Sequence, residues 1–219
     1  MSRILVVAAH PDDEVLGCGG AMARHALQGD DVSVLILGRG LGARGEAESL
    51  ALSQLERDSR IALAELGVSD VRYRDFPDNR FDTVPLLSVA QAVEEVKIEL
   101  RPERVYTHAA QDLNVDHRVC FEAVMTAFRP QPGEACREIL TFEVMSATHW
   151  RAETFCPTVY MDISAVLERK MAALACYHSE MRAWPHARSV EAVRIQAQWR
   201  GSLVGLEAAE CFVPARMMI

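Results

Sequence analysis

The 219-residue chain sets 23 basic against 31 acidic residues for a formal charge of −8, with half of its residues hydrophobic and a quarter charged. That excess of acid argues against a nucleic-acid or anionic-membrane partner, no apolar run is long enough to span a bilayer, and the first apolar run begins too early for a signal peptide. The length suits one α/β domain over residues 1–219, and six cysteines without a C-x-x-C pair suit reduced thiols in a cytoplasmic protein.

Residues 4–9 form a short branched apolar run, ended by Pro11, that predicts a buried strand. Directly behind it, His10, Asp12, Asp13 and Glu14 crowd an imidazole and three carboxylates into five positions. Like charges this close need a cation, a proton or solvent. A metal ion would supply the cation, with imidazole nitrogen and carboxylate oxygen as ligands. A solvated acidic turn opening the next helix is the plain alternative; the strand and His10-Pro11 in front favour the metal. Gly17-Cys18-Gly19-Gly20 suits close approach of the backbone to a ligand or another element, with Cys18 as a small packed residue. A helix is predicted over 21–27, stopping at Gly29, with His25 on it structural or exposed.

Residues 32–37 predict a second buried strand. The loop after it matches G-x-G-x-x-A at Gly38, Gly40 and Ala43, but the acid that should follow about 20 residues on would be Asp58, inside a helical pattern, so a dinucleotide site is rejected. Arg39 and Arg44 in this loop can still meet an anionic group of a substrate. Next come a helix over 46–66, a strand over 71–76, a polar turn-like loop over 77–82, a helix over 86–100 and a strand over 104–108. A second dense stretch, 107–118, holds His108, Asp112, Asn114, Asp116 and His117. Asn114 or Asp116 is the N-cap of the apolar helix over 119–128, which puts His117 in the first turn. Beyond a break at 130–133 the pattern gives strands over 138–145 and 158–163, separated by an irregular aromatic segment (146–157) that reads as a lid or contact surface. A helix from Asp162 or Ser164 through 181, an interruption at Pro185, a helix from Ser189 to about 199 and a strand over 208–217 complete the chain.

Strands alternating with helices predict a mostly parallel sheet covered on both faces, with a strand order of the 3-2-1-4-5 type. Ligands of such sheets sit beyond the carboxyl ends of the strands, where the order reverses. With the first and fourth strands adjacent there, His10, Asp12 and Asp13 meet His117 across one crevice. Two His and one Asp leave an open position, the pattern of a catalytic zinc.

Ala9-His10-Pro11-Asp12-Asp13-Glu14, with Asn114-Val115-Asp116-His117 after the fourth strand, resembles the LmbE-like de-N-acetylases. That superfamily includes the N-acetylglucosaminyl-phosphatidylinositol de-N-acetylases and the deacetylases of low-molecular-weight thiol biosynthesis, and the likeness in layout covers essentially the whole chain. It implies a Rossmann-like fold, a Zn²⁺ held by His10, Asp13 and His117, and Asp12 as the general base for the metal-bound water. Fe²⁺ or another divalent ion accepts the same ligands. Amide hydrolysis suits these residues, because a metal brings the pKa of its water to about 7 and a nearby carboxylate can take the proton and deliver it to the leaving amine. Many members carry a second acid–base His three residues before the second metal His; here that position is Asn114, which can donate a hydrogen bond but cannot shuttle a proton. His108 is the nearest substitute, weighed against an ordinary structural histidine. The run 112–117, the loop 78–82 and the tail Arg200-Gly201 with Ala208-Ala209-Glu210 resemble members of sugar and surface-polysaccharide pathways. An N-acetylated amino sugar, including a nucleotide- or phospho-sugar, is therefore the expected small-molecule partner, with Arg39, Arg44, Asp78 and Arg188 as candidate contacts. A thiol-glycoside deacetylase and a non-catalytic Rossmann-like binding protein are the alternatives, and homo-oligomerisation is left open.

Overall fold

The computed structural model describes residues 1–38 and 48–219. The strands are β1 (Arg3–Ala8), β2 (Asp31–Gly38), β3 (Asp70–Phe76), β4 (Arg104–His108), β5 (Glu138–Phe142), β6 (Val159–Asp162) and β7 (Ala209–Met217). They make one sheet in the order β3-β2-β1-β4-β5-β7-β6. The first five pair in parallel, as the alternation of strands and helices requires, and β7 runs antiparallel to both β5 and β6. The order therefore reverses between β1 and β4, where the expectation placed it. β1 has no wet side: Ile4 and Val6 pack into one hydrophobic cluster, Leu5 and Val7 into another. A strand covered on both faces reads as a continuous apolar run, which is why no alternation marks it.

Helices α1 (Asp13–Leu27), α2 (Glu48–Glu65), α6 (Leu167–Ala175) and α7 (Val190–Ser202) cover one face; α3 (Leu86–Leu100) and α4 (Val115–Ala127) cover the other. A short α5 (Met145–Thr148) lies in the segment expected to be irregular, where Phe155 is buried and Trp150 exposed. Among the described residues no helix is long and apolar enough to cross a membrane. Several predicted boundaries move. α4 begins at Val115, not 119, because Asn114, not Asp116, caps it: the Asn114 Oδ1 accepts from the Asp116 N–H at 2.8 Å. α6 ends at Ala175, not 181, because Tyr177 turns inward to donate to Glu14. β5 ends at Phe142. His25 is buried between Asp30 and Tyr106, so of its two readings the structural one holds.

The largest departure is α1. It starts at Asp13, eight residues before the expected start, and it breaks at Cys18, whose φ of −146° and ψ of 27° are not helical. The break exposes backbone groups inside the protein, and one buried ion pair satisfies them. Lys170 Nζ donates to the Leu16 carbonyl at 2.9 Å and to Glu210 Oε1 at 2.6 Å. Glu210 in turn accepts from the N–H groups of Gly20 at 2.8 Å and Ala21 at 2.7 Å. Each half of the broken helix thus keeps a partner for its orphan groups. Arg200, from the same tail motif, forks onto Glu143 at 2.8 and 2.5 Å. Both tail residues hold the packing together.

The glycines of this stretch serve contact with neighbouring elements. A Cβ on Gly17 would sit 2.1 Å from the Phe142 ring, and one on Gly20 would sit 2.7 Å from Ile163. Phe142 cannot retreat easily, since its ring packs 4.8 Å from that of the buried His108. Gly17→Ala is therefore expected to cost about 1–3 kcal/mol in overpacking, read as a lower denaturant midpoint at unchanged slope.

Candidate metal centre

The turn Ala9–Asp12 leaves β1 and the loop Ala109–Asn114 leaves β4, so parallel pairing of these strands sets the two dense stretches face to face. The loop after β3 joins them, because Asp116 at the start of α4 accepts from the backbone N–H of Asn79 at 2.6 Å and of Phe81 at 2.9 Å. The carboxylates and two of the imidazoles that meet here are buried: His10, Asp12, Asp13, Glu14, Asp78, Asp112, Asp116 and His117.

Asp13 lies at the middle. Its Oδ2 is 3.1 Å from His10 Nδ1 and 3.1 Å from His117 Nε2. Those spacings approach the edge of a tetrahedron with metal bonds of about 2.0–2.1 Å. The remaining oxygen, Oδ1, has no hydrogen-bond partner, and neither ring nitrogen of His117 is aligned with its carboxylate neighbours well enough to form one. Buried donors left unmet around a common point suit a divalent ion, and His10, Asp13 and His117 fit one. Charge supports the fit. Burial would lower His117, but the Asp13 and Asp112 carboxylates hold it up at about 9. Burial likewise works against protonating His10, and its bonds to Asp116, Asp13 and Asp78 outweigh it, leaving it well above an ordinary imidazole. Burial would raise Asp13, yet the pull of His117 and His10 holds it well below the usual carboxylate range. The pocket attracts positive charge, and a metal would displace the protons now supplying it.

His10 turns Nδ1 to Asp13 and Nε2 to Asp116 at 2.9 Å and Asp78 at 3.1 Å. The second donor group, His10 with Asp78 and Asp116, is the anchorage of the first ligand. His117 has its own orienting carboxylate in Asp112, whose Oδ1 is 3.1 Å from Nδ1 and whose Oδ2 accepts from Thr148 Oγ1 at 2.6 Å. Sequence reasoning left Asp112 and Thr148 without a role and offered Asp116 only as an N-cap, because an acid in a turn or first helical turn ordinarily serves local capping. Asp112→Ala is expected to weaken divalent-ion binding about 10- to 100-fold, measured by competition with a chromogenic chelator.

Asp12 stands apart from Asp13 by conformation. Its φ of 113° is a positive value rare for a side-chain-bearing residue. Its N–H donates to Glu14 Oε2 at 3.0 Å, and Glu14 is held in turn by Tyr177. Burial pushes Glu14 up to about 7. Burial also raises Asp12 well above an ordinary carboxylate, with Asp13 adding to the rise and Arg188 opposing it. Arg188 Nη1 sits 3.2 Å from Asp12 Oδ2 as a charge pair whose alignment leaves that oxygen without a hydrogen bond. Arg188, the expected contact for a substrate anion, is shared among Asp12, Glu180 at 3.2 Å and Ser146 Oγ at 3.0 Å.

Two expected catalytic groups are placed otherwise. His108 is fully buried, stacked 3.9 Å from the His117 ring, and its Nε2 accepts from the Ala9 N–H at 2.9 Å. Burial and the adjacent His117 push it down to about 3, which works against the protonation that the expected proton donor needs. Asn114 spends its amide on the α4 cap and on Asn79 at 3.3 Å. Asp78 is inside the site, against His10. Arg39 and Arg44 lie outside the described residues.

With this geometry in view, the family description GlcNAc-PI de-N-acetylase (PIG-L) matches residues 5–128, the part that supplies both dense stretches. A 4-oxalmesaconate hydratase of Pseudomonas putida is 29% identical over 96% of this chain and 86% of its own. A probable N-acetyl-α-D-glucosaminyl L-malate deacetylase of Bacillus cereus is 27% identical over 83% of this chain and 84% of its own. Among solved structures, a conserved protein of Thermus thermophilus superposes with a TM-score of 0.80 at 27% identity, over 100% of this chain and 97% of the other.

Proposed function

The chain belongs to the PIG-L, or GlcNAc-PI de-N-acetylase, family of LmbE-like enzymes, and from that premise we propose that it is a divalent-metal hydrolase that removes the N-acetyl group of an amino sugar. The convergence of buried His10, Asp13 and His117 beside a separately held Asp12 carries this reading. An ion on the first three, Zn²⁺ or Fe²⁺, would supply Lewis-acid polarisation of the amide carbonyl and a water of lowered pKa. Asp12 takes the proton of the attacking water and returns it to the departing amine. Its raised affinity for a proton suits both halves of that exchange. One carboxyl therefore does the work for which many relatives keep a second histidine, consistent with His108 being sealed away and Asn114 being a cap. Arg188 keeps Asp12 turned toward the crevice and limits the rise of its pKa. Burial around the site removes bulk water, so each charge acts at greater strength.

Metal analysis of the purified protein followed by an acetate-release screen tests the proposal, using N-acetylglucosamine, its glycosides, its phosphate and nucleotide forms, and an N-acetylated thiol glycoside. Acetate release that tracks ion content and stops with chelator is the expected result. The phosphorylated forms keep a place in the screen through Arg44, whose part in binding them is an extension of the proposal. A second reading comes from the hydratase relative, since a bound ion with a carboxylate base also suits the addition of water to a double bond. Turnover of 4-oxalmesaconate without acetate release from any sugar would establish that reading in place of the first.

A further inference from the structure

We infer that Tyr177 is a positioning residue for the proposed base: through the Glu14 carboxylate it fixes the backbone on which Asp12 stands. The inference rests on the hydrolase reading and adds a residue to its machinery. At φ 113° and ψ −33°, Asp12 holds a conformation that a side-chain-bearing residue keeps only when its surroundings impose it. Those surroundings can be traced bond by bond. The Asp12 carbonyl accepts from the N–H groups of Val15 at 3.1 Å and Leu16 at 2.9 Å, which ties it to the first turn of α1. With that end pinned, rotation about φ swings the preceding peptide, whose N–H donates to Glu14 Oε2 at 3.0 Å. The Glu14 carboxylate therefore sets where that peptide rests.

Glu14 is not placed by α1 alone. Its other oxygen, Oε1, accepts from the hydroxyl of Tyr177, a fully buried residue just beyond α6. The buried Ser59 of α2 bonds that hydroxyl in turn, and Tyr73 of β3 donates to the Ser59 oxygen at 3.2 Å. The Tyr177 ring belongs to the hydrophobic cluster on this face of the sheet, so the hydroxyl is a fixed donor. The same segment reaches Asp12 from a second direction. The Glu180 N–H donates to the Tyr177 carbonyl at 3.1 Å, and the Glu180 carboxylate lies 3.2 Å from the Arg188 Nη1 that pairs with Asp12 Oδ2. Residues 177–188 thus hold the base twice, by its backbone and by its carboxylate. A displacement of about 1 Å at a reacting group can cost roughly 10²-fold in rate, so a hydroxyl two bonds removed from Asp12 can govern turnover.

Tyr177→Phe keeps the ring and removes the hydroxyl. The test measures acetate release from N-acetylglucosamine by holoenzyme of measured metal content, for the wild type, Tyr177→Phe, Asp12→Asn and the double variant. The expected result is a kcat about 10- to 100-fold lower in Tyr177→Phe, with KM and metal content unchanged. In the Asp12→Asn background the same substitution should change kcat by less than about twofold, because a residue that acts through Asp12 has no base left to position. Equal losses in the two backgrounds overturn the inference and make Tyr177 a structural residue. Ser59→Ala, which leaves the tyrosine and its bond to Glu14 in place, should show the same dependence on Asp12 at smaller size. A second signal needs no turnover. In protein labelled with ¹⁵N-aspartate, the Asp12 amide proton, bonded to a carboxylate, should resonate downfield and should move upfield in Tyr177→Phe. An unmoved resonance overturns the inference and leaves the hydrolase reading standing. A wild type that releases acetate from no N-acetyl sugar overturns the hydrolase reading and, with it, the base that Tyr177 would position.

Discussion

Asp12→Asn is expected to keep its divalent ion and to lose turnover by about 10²- to 10⁴-fold, the range for a missing general base. The substitution is nearly isosteric, and Asn is among the few residues that tolerate positive φ, so the backbone at φ 113° should survive it. Glu14 still receives the N–H of residue 12, and the three ligand side chains are untouched. What disappears is an oxygen that can hold a proton. His117→Ala should behave in the opposite way, losing most of the ion while remaining folded by circular dichroism. Elemental analysis paired with turnover per bound ion separates the two. An Asp12→Asn protein that loses most of its metal but keeps normal turnover per remaining ion would show that Asp12 is the ligand and Asp13 the base.

Lys170→Met is the second large effect, and it acts on stability. Lys170 is only 2% exposed and Glu210 5%, so the pair is desolvated on both sides. Removing one member of such a pair typically costs about 3–5 kcal/mol, because the other charge stays buried without compensation. The N–H groups of Gly20 and Ala21 still reach Glu210, which argues for the lower end, near about 3 kcal/mol. Adding Glu210→Gln should recover part of the loss by removing the orphaned charge. Urea unfolding of the three proteins decides the matter: a loss below about 1 kcal/mol for Lys170→Met would mean that the pair is dispensable, as exposed pairs are.

Much of the architecture was legible because apolar runs without alternation have one common solution, a strand covered on both faces, and the helical periods between them force parallel pairing. From there the approach of His10 and Asp13 to His117 follows by topology. What escaped was set by partners distant in sequence. Nothing local says that Lys170 is buried; its place is defined by a carbonyl at Leu16 and a carboxylate at Glu210. The early start of α1 was hidden by glycines that weaken a helix and were retained to admit Phe142 and Ile163. His108 looked like a site residue because it ends a strand at the right edge, yet the Ala9 N–H and the His117 ring close over it. Asp112 and Asp116 looked like turn acids, and only the arrival of Thr148 and of residues 79–81 shows what they orient.

The dependence of α1 on Glu210 ties early and late parts of the message together. On the ribosome, residues 9–14 emerge long before β7, with 190 positions separating Gly20 from the carboxylate that anchors it. A nascent or truncated product ending at Gly205 would contain His10, Asp13 and His117, the proposed ligands, and Asp12, the proposed base, yet it would lack β7 and the brace across the break in α1. Such a fragment is expected to take up no ion in an equilibrium dialysis assay. Competence of the first-made motif would thereby report arrival of the late strand, and fragments from interrupted translation would stay inert.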